Sequence, residues 1–182
     1  MVDNPRARYS DDTVDTLSGQ FGGEFFAGHW SSYVEEAKPK KSEIAYSRIW
    51  IPGPCVASSF RLFATKVGNQ TAKGRIALFD QESPGDESLG PRNKVAETAE
   101  WDTPGERGFF SVNALSALQL ASGAFYWTAL VLEGNKDRWL CTGELPAGFA
   151  PTRFEDTTGT TIPAVANGSS EDGPLIWLSV KE

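Results

Sequence analysis

The chain has 182 residues, 23% of them charged and 40% hydrophobic, with a formal net charge of -7 at neutral pH. That length buries a substantial core without metal or disulfide staples, and an acidic balance with no clustered Lys/Arg face excludes a nucleic-acid binder. The 18 glycines and 11 prolines punctuate short apolar runs with no sustained helical periodicity, a pattern that points to an all-β protein.

The first 12 residues, MVDNPRARYSDD, are polar and lack the apolar core of a secretory signal, so synthesis in the cytoplasm is expected, and no run reaches membrane-spanning length. Residues 1–42 are rich in Asp, Gly, Ser and Lys, and their aromatics cluster instead of alternating. They are expected to form an irregular N-terminal docking arm, with residues 43–182 as the folded domain. Within the arm, FGGEFFAGHW sets Phe21, Phe25, Phe26 and Trp30 beside the only histidine, His29, among glycines. Such a composition packs onto a surface instead of making a core, and the surface is either this chain's own domain or a partner's. The densest basic cluster, Lys38, Lys40 and Lys41, is flanked by Glu35, Glu36 and Glu43 and reads as a solvated linker.

From Glu43 strand signals follow at short intervals. EIAYSRIWIP ends in the breakers Pro52 and Pro54; SSFRLFATKV sets Phe60, Leu62 and Ala64 against Arg61, Phe63 and Thr65; KGRIALFD runs into the polar loop QESPGDESLGPRN. KVAETAEW, the turn Thr103-Pro104-Gly105 and ERGFFSVN come next. ALSALQLASG is helical by propensity, yet a turn or short strand fits its position better. GAFYWTALVLEG, from Gly123 to Gly134, reads as a central strand buried on both faces, with Tyr126, Leu130 and Leu132 on one side and Phe125, Trp127 and Val131 on the other; a helix is the competing reading. RWLCTG is a short strand, Glu144 to Gly173 a Pro/Gly/Thr-rich loop, and GPLIWLSVKE a closing strand with Leu178 and Val180 on one face. About eight strands without helices between them predict an antiparallel β-sandwich of jelly-roll-like type.

Chemistry-bearing motifs are sparse. One histidine leaves a Ser-His-Asp or Cys-His constellation little to work with, and no nucleophile elbow, zinc-protease, P-loop or dinucleotide motif occurs, so neither enzyme activity nor a catalytic residue is expected. Neither a metal site nor a cofactor is expected. Strand spacing puts Glu97 and Glu100 on opposite faces, and Asp80, Glu82, Asp86 and Glu87 lack calcium-loop spacing, though flexible carboxylates of this kind do bind calcium. Cys55 and Cys141 show no zinc spacing and read as small buried residues, with a disulfide left open. Asn69 and Asn167 head glycosylation-type triplets that read as turn composition. Trp101 beside Asp102, and Trp139 beside Asp137 and Arg138, are aromatic and carboxylate pairs of the kind that stack and hydrogen-bond a sugar ring. Trp139, Trp101 and Asp137 are therefore a candidate glycan site.

Several phrases, in order, resemble a β-sandwich domain of small structural proteins of tailed bacteriophages, carried on tail-fibre, minor-tail and capsid-surface proteins. They are FFAGHW; AYSRIWIPGP; SSFRLFATKVGNQTAKGRIALFDQESPG; LQLASGAFYWTALVLEGN; and LPAGFAPTRFEDTTGTTIPAVANGS followed by PLIWLSV. The likeness runs from about Phe21 to Val180. The chain departs from the family pattern at RLFATK, where Ile/Val alternation is usual, and in a longer acidic loop after Phe79. The resemblance implies a non-enzymatic virion part, a head decoration or a tail and baseplate appendage. It implies docking onto other virion proteins through Phe21, Phe25, Phe26 and Trp30, and a homo-oligomer with a trimer favoured. A carbohydrate-binding module for host surface glycan is the alternative reading.

Overall fold

The computed structural model describes residues 18–21, 24–27, 33–37, 42–66, 72–81, 90–133, 138–142, 152–167, 169–171 and 178–181. All regular structure among them is β. The strands are β1 (Ser18–Phe21), β2 (Glu24–Ala27), β3 (Tyr33–Ala37), β4 (Glu43–Ile51), β5 (Cys55–Lys66), β6 (Lys73–Gln81) and β7 (Pro91–Glu97). They continue with β8 (Trp101–Asp102), β9 (Gly108–Leu120), β10 (Ala124–Glu133), β11 (Arg138–Thr142), β12 (Thr152–Asp156), β13 (Ser169–Glu171) and β14 (Leu178–Lys181).

They form two seven-stranded sheets, and every strand pairing is antiparallel. The first sheet runs β1-β2-β14-β5-β11-β3, with β9 added to β5; the second runs β13-β12-β4-β10-β6-β7, with β8 added to β6. Ser59 to Leu62 of β5 pair with both β14 and β9, and Ala64 with both β11 and β9. The edge of β5 opposite β9 is thus shared end to end by β14 and β11. The segment before Glu43 contributes three strands to this sheet, with β1 and β3 outermost in the pairing order.

The two sheets are joined by a shared corner. Ile51 pairs with Ala124 in the second sheet, and Cys55 pairs with Leu120 in the first, so the register continues unbroken while both chains bend. The bend falls where the sequence can make it. Pro52 and Pro54 lack the N–H a ladder needs, and Gly123 sits at φ +69°, a left-handed conformation that glycine adopts without a Cβ penalty. Gly123 N donates to Ile51 O at 2.8 Å and Ser122 Oγ to Pro52 O at 3.0 Å, which ties the two bends together.

Strand β10 lies between β4 and β6 and is buried on both faces, as its sequence predicts. Leu130 and Leu132 enter a core shared with Phe60, Leu62, Leu178 and Val180 of the first sheet, while Trp127, Ala129 and Val131 enter a second core with Ile44, Tyr46, Ala77 and Phe79. That second core is covered by residues 157–167, which place Ile162 on it. This strap is held to β7 by Lys94 N to Ala164 O at 2.8 Å and Ala166 N to Arg92 O at 3.0 Å.

Three expectations need correction. The segment before Glu43 is not irregular among its described residues: β2 ladders with β14 and β3 with β11, because these strands offer partners along the first sheet. ALSALQLASG is neither a helix nor a short strand: its first seven residues complete β9, a 13-residue strand. Propensity loses here because β5 pairs with both ends of the run's neighbourhood, Gly108 to Asn113 before it and Leu118 to Leu120 within it, which holds the intervening residues extended. Glu144 to Gly173 is not loop throughout, since β12 and β13 lie within it and β12 pairs with β4.

Candidate interaction surfaces

The expected docking residues divide along the sheet. In β2, Phe25 lies opposite Val180 and Phe26, one position along, opposite Ser179, and both of these β14 residues are fully buried. Phe21 of β1 pairs with Glu24. Trp30 and His29 lie outside the described residues.

The proposed glycan residues are separated. The backbone of Trp139 is in β11, opposite Ala64 and Ala37 of the first sheet. Trp101 is in β8 on the second sheet, opposite Gly74. Asp137 lies outside the described residues. Trp101 stands beside Asp102 at a strand edge, as its sequence suggests, but its ring is turned inward, is 9% exposed and packs at 5.1 Å on Phe110. The space it fills is the side-chain volume that Gly74 lacks. A ring in that position covers the core and presents no open face for a sugar to stack on.

Several described carboxylates are held by hydrogen bonds within the fold. Asp80 Oδ1 accepts from Asn93 N at 2.8 Å, Glu97 Oε2 from Lys94 Nζ at 3.0 Å, and Glu100 Oε2 from Thr160 Oγ1 at 2.7 Å. Glu97 also faces Arg75 at 3.6 Å, while Glu100 faces Lys73 at 4.0 Å, so the two glutamates serve different contacts. The hydrogen bond from Lys73 to Asp102, reinforced by their opposite charges, holds this lysine above its ordinary pKa. Glu82, Asp86 and Glu87 lie outside the described residues, and among those described no group of three or more His, Cys, Asp or Glu converges on a metal position. Cys55 is buried at the start of β5, whereas Trp139, two residues before Cys141, pairs with Ala64 at its far end. The strand rise leaves the two cysteines roughly 20 Å apart, beyond disulfide reach.

Four features had no counterpart in the sequence reading. On the outer face of the first sheet, Phe109 is 51% exposed, stacks edge-on with Phe63 at 4.9 Å, and carries the Arg61 guanidinium 3.9 Å above its ring. The doubled phenylalanine in ERGFFSVN is the signal that could have found this patch, because an alternating strand must send one of the two rings to each face. On the second sheet Arg48 is buried, with its guanidinium 4.5 Å from the Phe125 ring and 5.9 Å from Trp127. In the same region Trp127 Nε1 donates to Gln81 Oε1 at 2.9 Å. Nothing local marks Arg48 as a buried residue.

The third feature is Tyr46, fully buried, whose hydroxyl donates to Glu155 Oε2 at 2.7 Å. Burial, and then that hydrogen bond, push the phenol well above the ordinary tyrosine range. Glu155 Oε2 also accepts from Asn167 N at 3.0 Å, so this carboxylate ties both ends of the strap region to β4. The fourth is a groove of about 240 Å³ between β7 and β9, lined by Val95, Glu97, Leu115 and Ser116 among others. It exists because β9 leaves β5 between Leu118 and Asn113, where Ala114 bridges to Thr98 after β7. With Glu97 already paired and Leu115 65% exposed, the groove offers a shallow apolar contact and no acid–base pair.

No protein-family model matches the chain, and no curated protein is significantly similar to it.

Proposed function

We propose that this protein is a non-enzymatic structural component of a tailed-phage virion, a head decoration or a tail and baseplate appendage. In this reading its two sheets form a jelly-roll-like β-sandwich that is displayed outward. The ordered resemblance from Phe21 to Val180 motivates the reading. The observation that carries it is the position of the aromatic N-terminal segment, whose strands β1 and β3 are the outermost of the first sheet. A segment held at a rim by edge pairing is the part of a chain best placed to reach a neighbouring subunit, since its outer backbone groups have a further strand to accept. The shared core, drawing Ile49, Ile76 and Leu130 from one sheet and Phe60, Leu62 and Val180 from the other, supports the sandwich arrangement. The partners are other virion proteins and further copies of this chain.

Mass spectrometry of purified particles tests the role directly, and absence of the chain from them would end it. Substitution separates docking from folding. Phe26→Ala, assayed well below its own thermal transition so that the chain is folded, should incorporate less than wild type; Phe25→Ala is measured beside it, because the β14 partners of both residues, Ser179 and Val180, are fully buried. Equal incorporation of Phe26→Ala and wild type would remove the docking role of this strand.

A further inference from the structure

We infer that the outer edge of β9 is a self-association surface, on which two copies of the chain pair β9 with β9 about a two-fold axis near Ser111. Three observations lead there. First, β9 ladders only with β5; over residues 110–113 its other edge has no ladder among the described residues, and the single bridge beyond is Ala114 with Thr98. Second, Phe110 and Val112 pack on the first core yet are only half-buried, while the residues directly opposite them, Leu62 and Phe60, are fully buried. The core is therefore only partly covered along this rim, even with Trp101 packed on Phe110. Third, GFFSVNALSALQL contains no Asp, Glu, Lys, Arg or Pro, in a chain where 23% of residues are charged. Proteins ordinarily protect an edge strand with charge or proline, and neither is present here.

The charge pattern selects the occupant. At a net charge of -7, two copies repel each other, and they meet most cheaply where neither carries charge. An antiparallel self-pairing centred on Ser111 sets Phe110 opposite the partner copy's Val112, so the core-side residues of both chains continue one surface and no like charges face each other. The pairing is isologous and yields a dimer. It deepens the virion reading only by naming how copies associate.

The test uses the full chain in analytical ultracentrifugation over a wide concentration range. Wild type should dimerise. Ser111→Glu places one carboxylate against another across the axis, yet within one chain it lies opposite Arg61, so folding is spared. It should weaken the dimer about tenfold or more, as should Ser111→Lys, and an equimolar mixture of the two should restore it. Amide hydrogen exchange needs no variant: residues 110–113 should exchange more slowly as wild-type concentration rises. A strictly monomeric or trimeric wild type, an oligomer indifferent to both substitutions, or concentration-independent exchange would overturn the inference. None of these bears on presence in particles, so the two readings fail separately.

Discussion

Gly74→Ala tests whether the packing of Trp101 is what seals the second sheet against the first. A Cβ on Gly74 would lie 2.4 Å from Trp101 Cη2, 2.5 Å from its Cζ2 and 2.8 Å from Leu132 Cδ2, all far inside van der Waals contact. The obstacle is a rigid, buried ring, so the clash cannot be relieved by rotating a flexible end. Overpacking of this kind costs about 1–3 kcal/mol, and the upper end applies with three simultaneous contacts. Removing a glycine from a strand returns about 0.5–1 kcal/mol of unfolded-chain entropy, which leaves a net loss of about 2 kcal/mol. For a chain of this size that corresponds to about 4–8 °C in Tm. Trp101→Phe deletes the atoms that clash and should itself cost about 2 kcal/mol by opening a cavity. The double variant should be destabilised by at least about 1 kcal/mol less than the sum, because the added methyl enters that cavity. Urea unfolding followed by far-UV circular dichroism reads all four corners of the cycle. A Gly74→Ala protein as stable as wild type, or additive effects, would refute the reasoning and reopen Trp101 as a surface residue.

Gln81→Leu removes the acceptor of the buried Trp127 indole hydrogen bond and should cost about 1–3 kcal/mol in the same unfolding assay. Tyr46 has a folded-state pKa raised above its unfolded value near 10. Its contribution is therefore complete below that pH and lost above it at about 1.4 kcal/mol per pH unit, as the unfolded phenol ionises and the folded one does not. Urea midpoints measured from pH 9 to 11 should fall less steeply for Tyr46→Phe than for wild type, and parallel profiles would show that the phenol is not held neutral. Gly123→Ala, at φ +69°, should cost about 1 kcal/mol, whereas Gly105→Ala, with open space around it, should be close to neutral in the same melts.

Burial on each face of a strand is a local property, and the sequence stated it well. The alternation of Phe60, Leu62 and Ala64 with Arg61, Phe63 and Thr65, and the two apolar faces of β10, follow from a period of two that a few residues are enough to display. The breakers Pro52, Pro54 and Gly123 likewise mark where strands end. The partner of each strand, in contrast, is decided by segments far away in the chain. Phe25 pairs in register with Val180, Trp101 with Gly74, and the strap at 157–167 reaches Arg92 and Lys94, none of which has a local signature. For the same reason Trp101 and Trp139 looked alike in sequence and were assigned to different sheets by the fold. An amino-acid pattern determines which face of a strand must leave water; which neighbour covers that face depends on the combined pairing and loop closure of the whole chain, and only the tertiary structure resolves it.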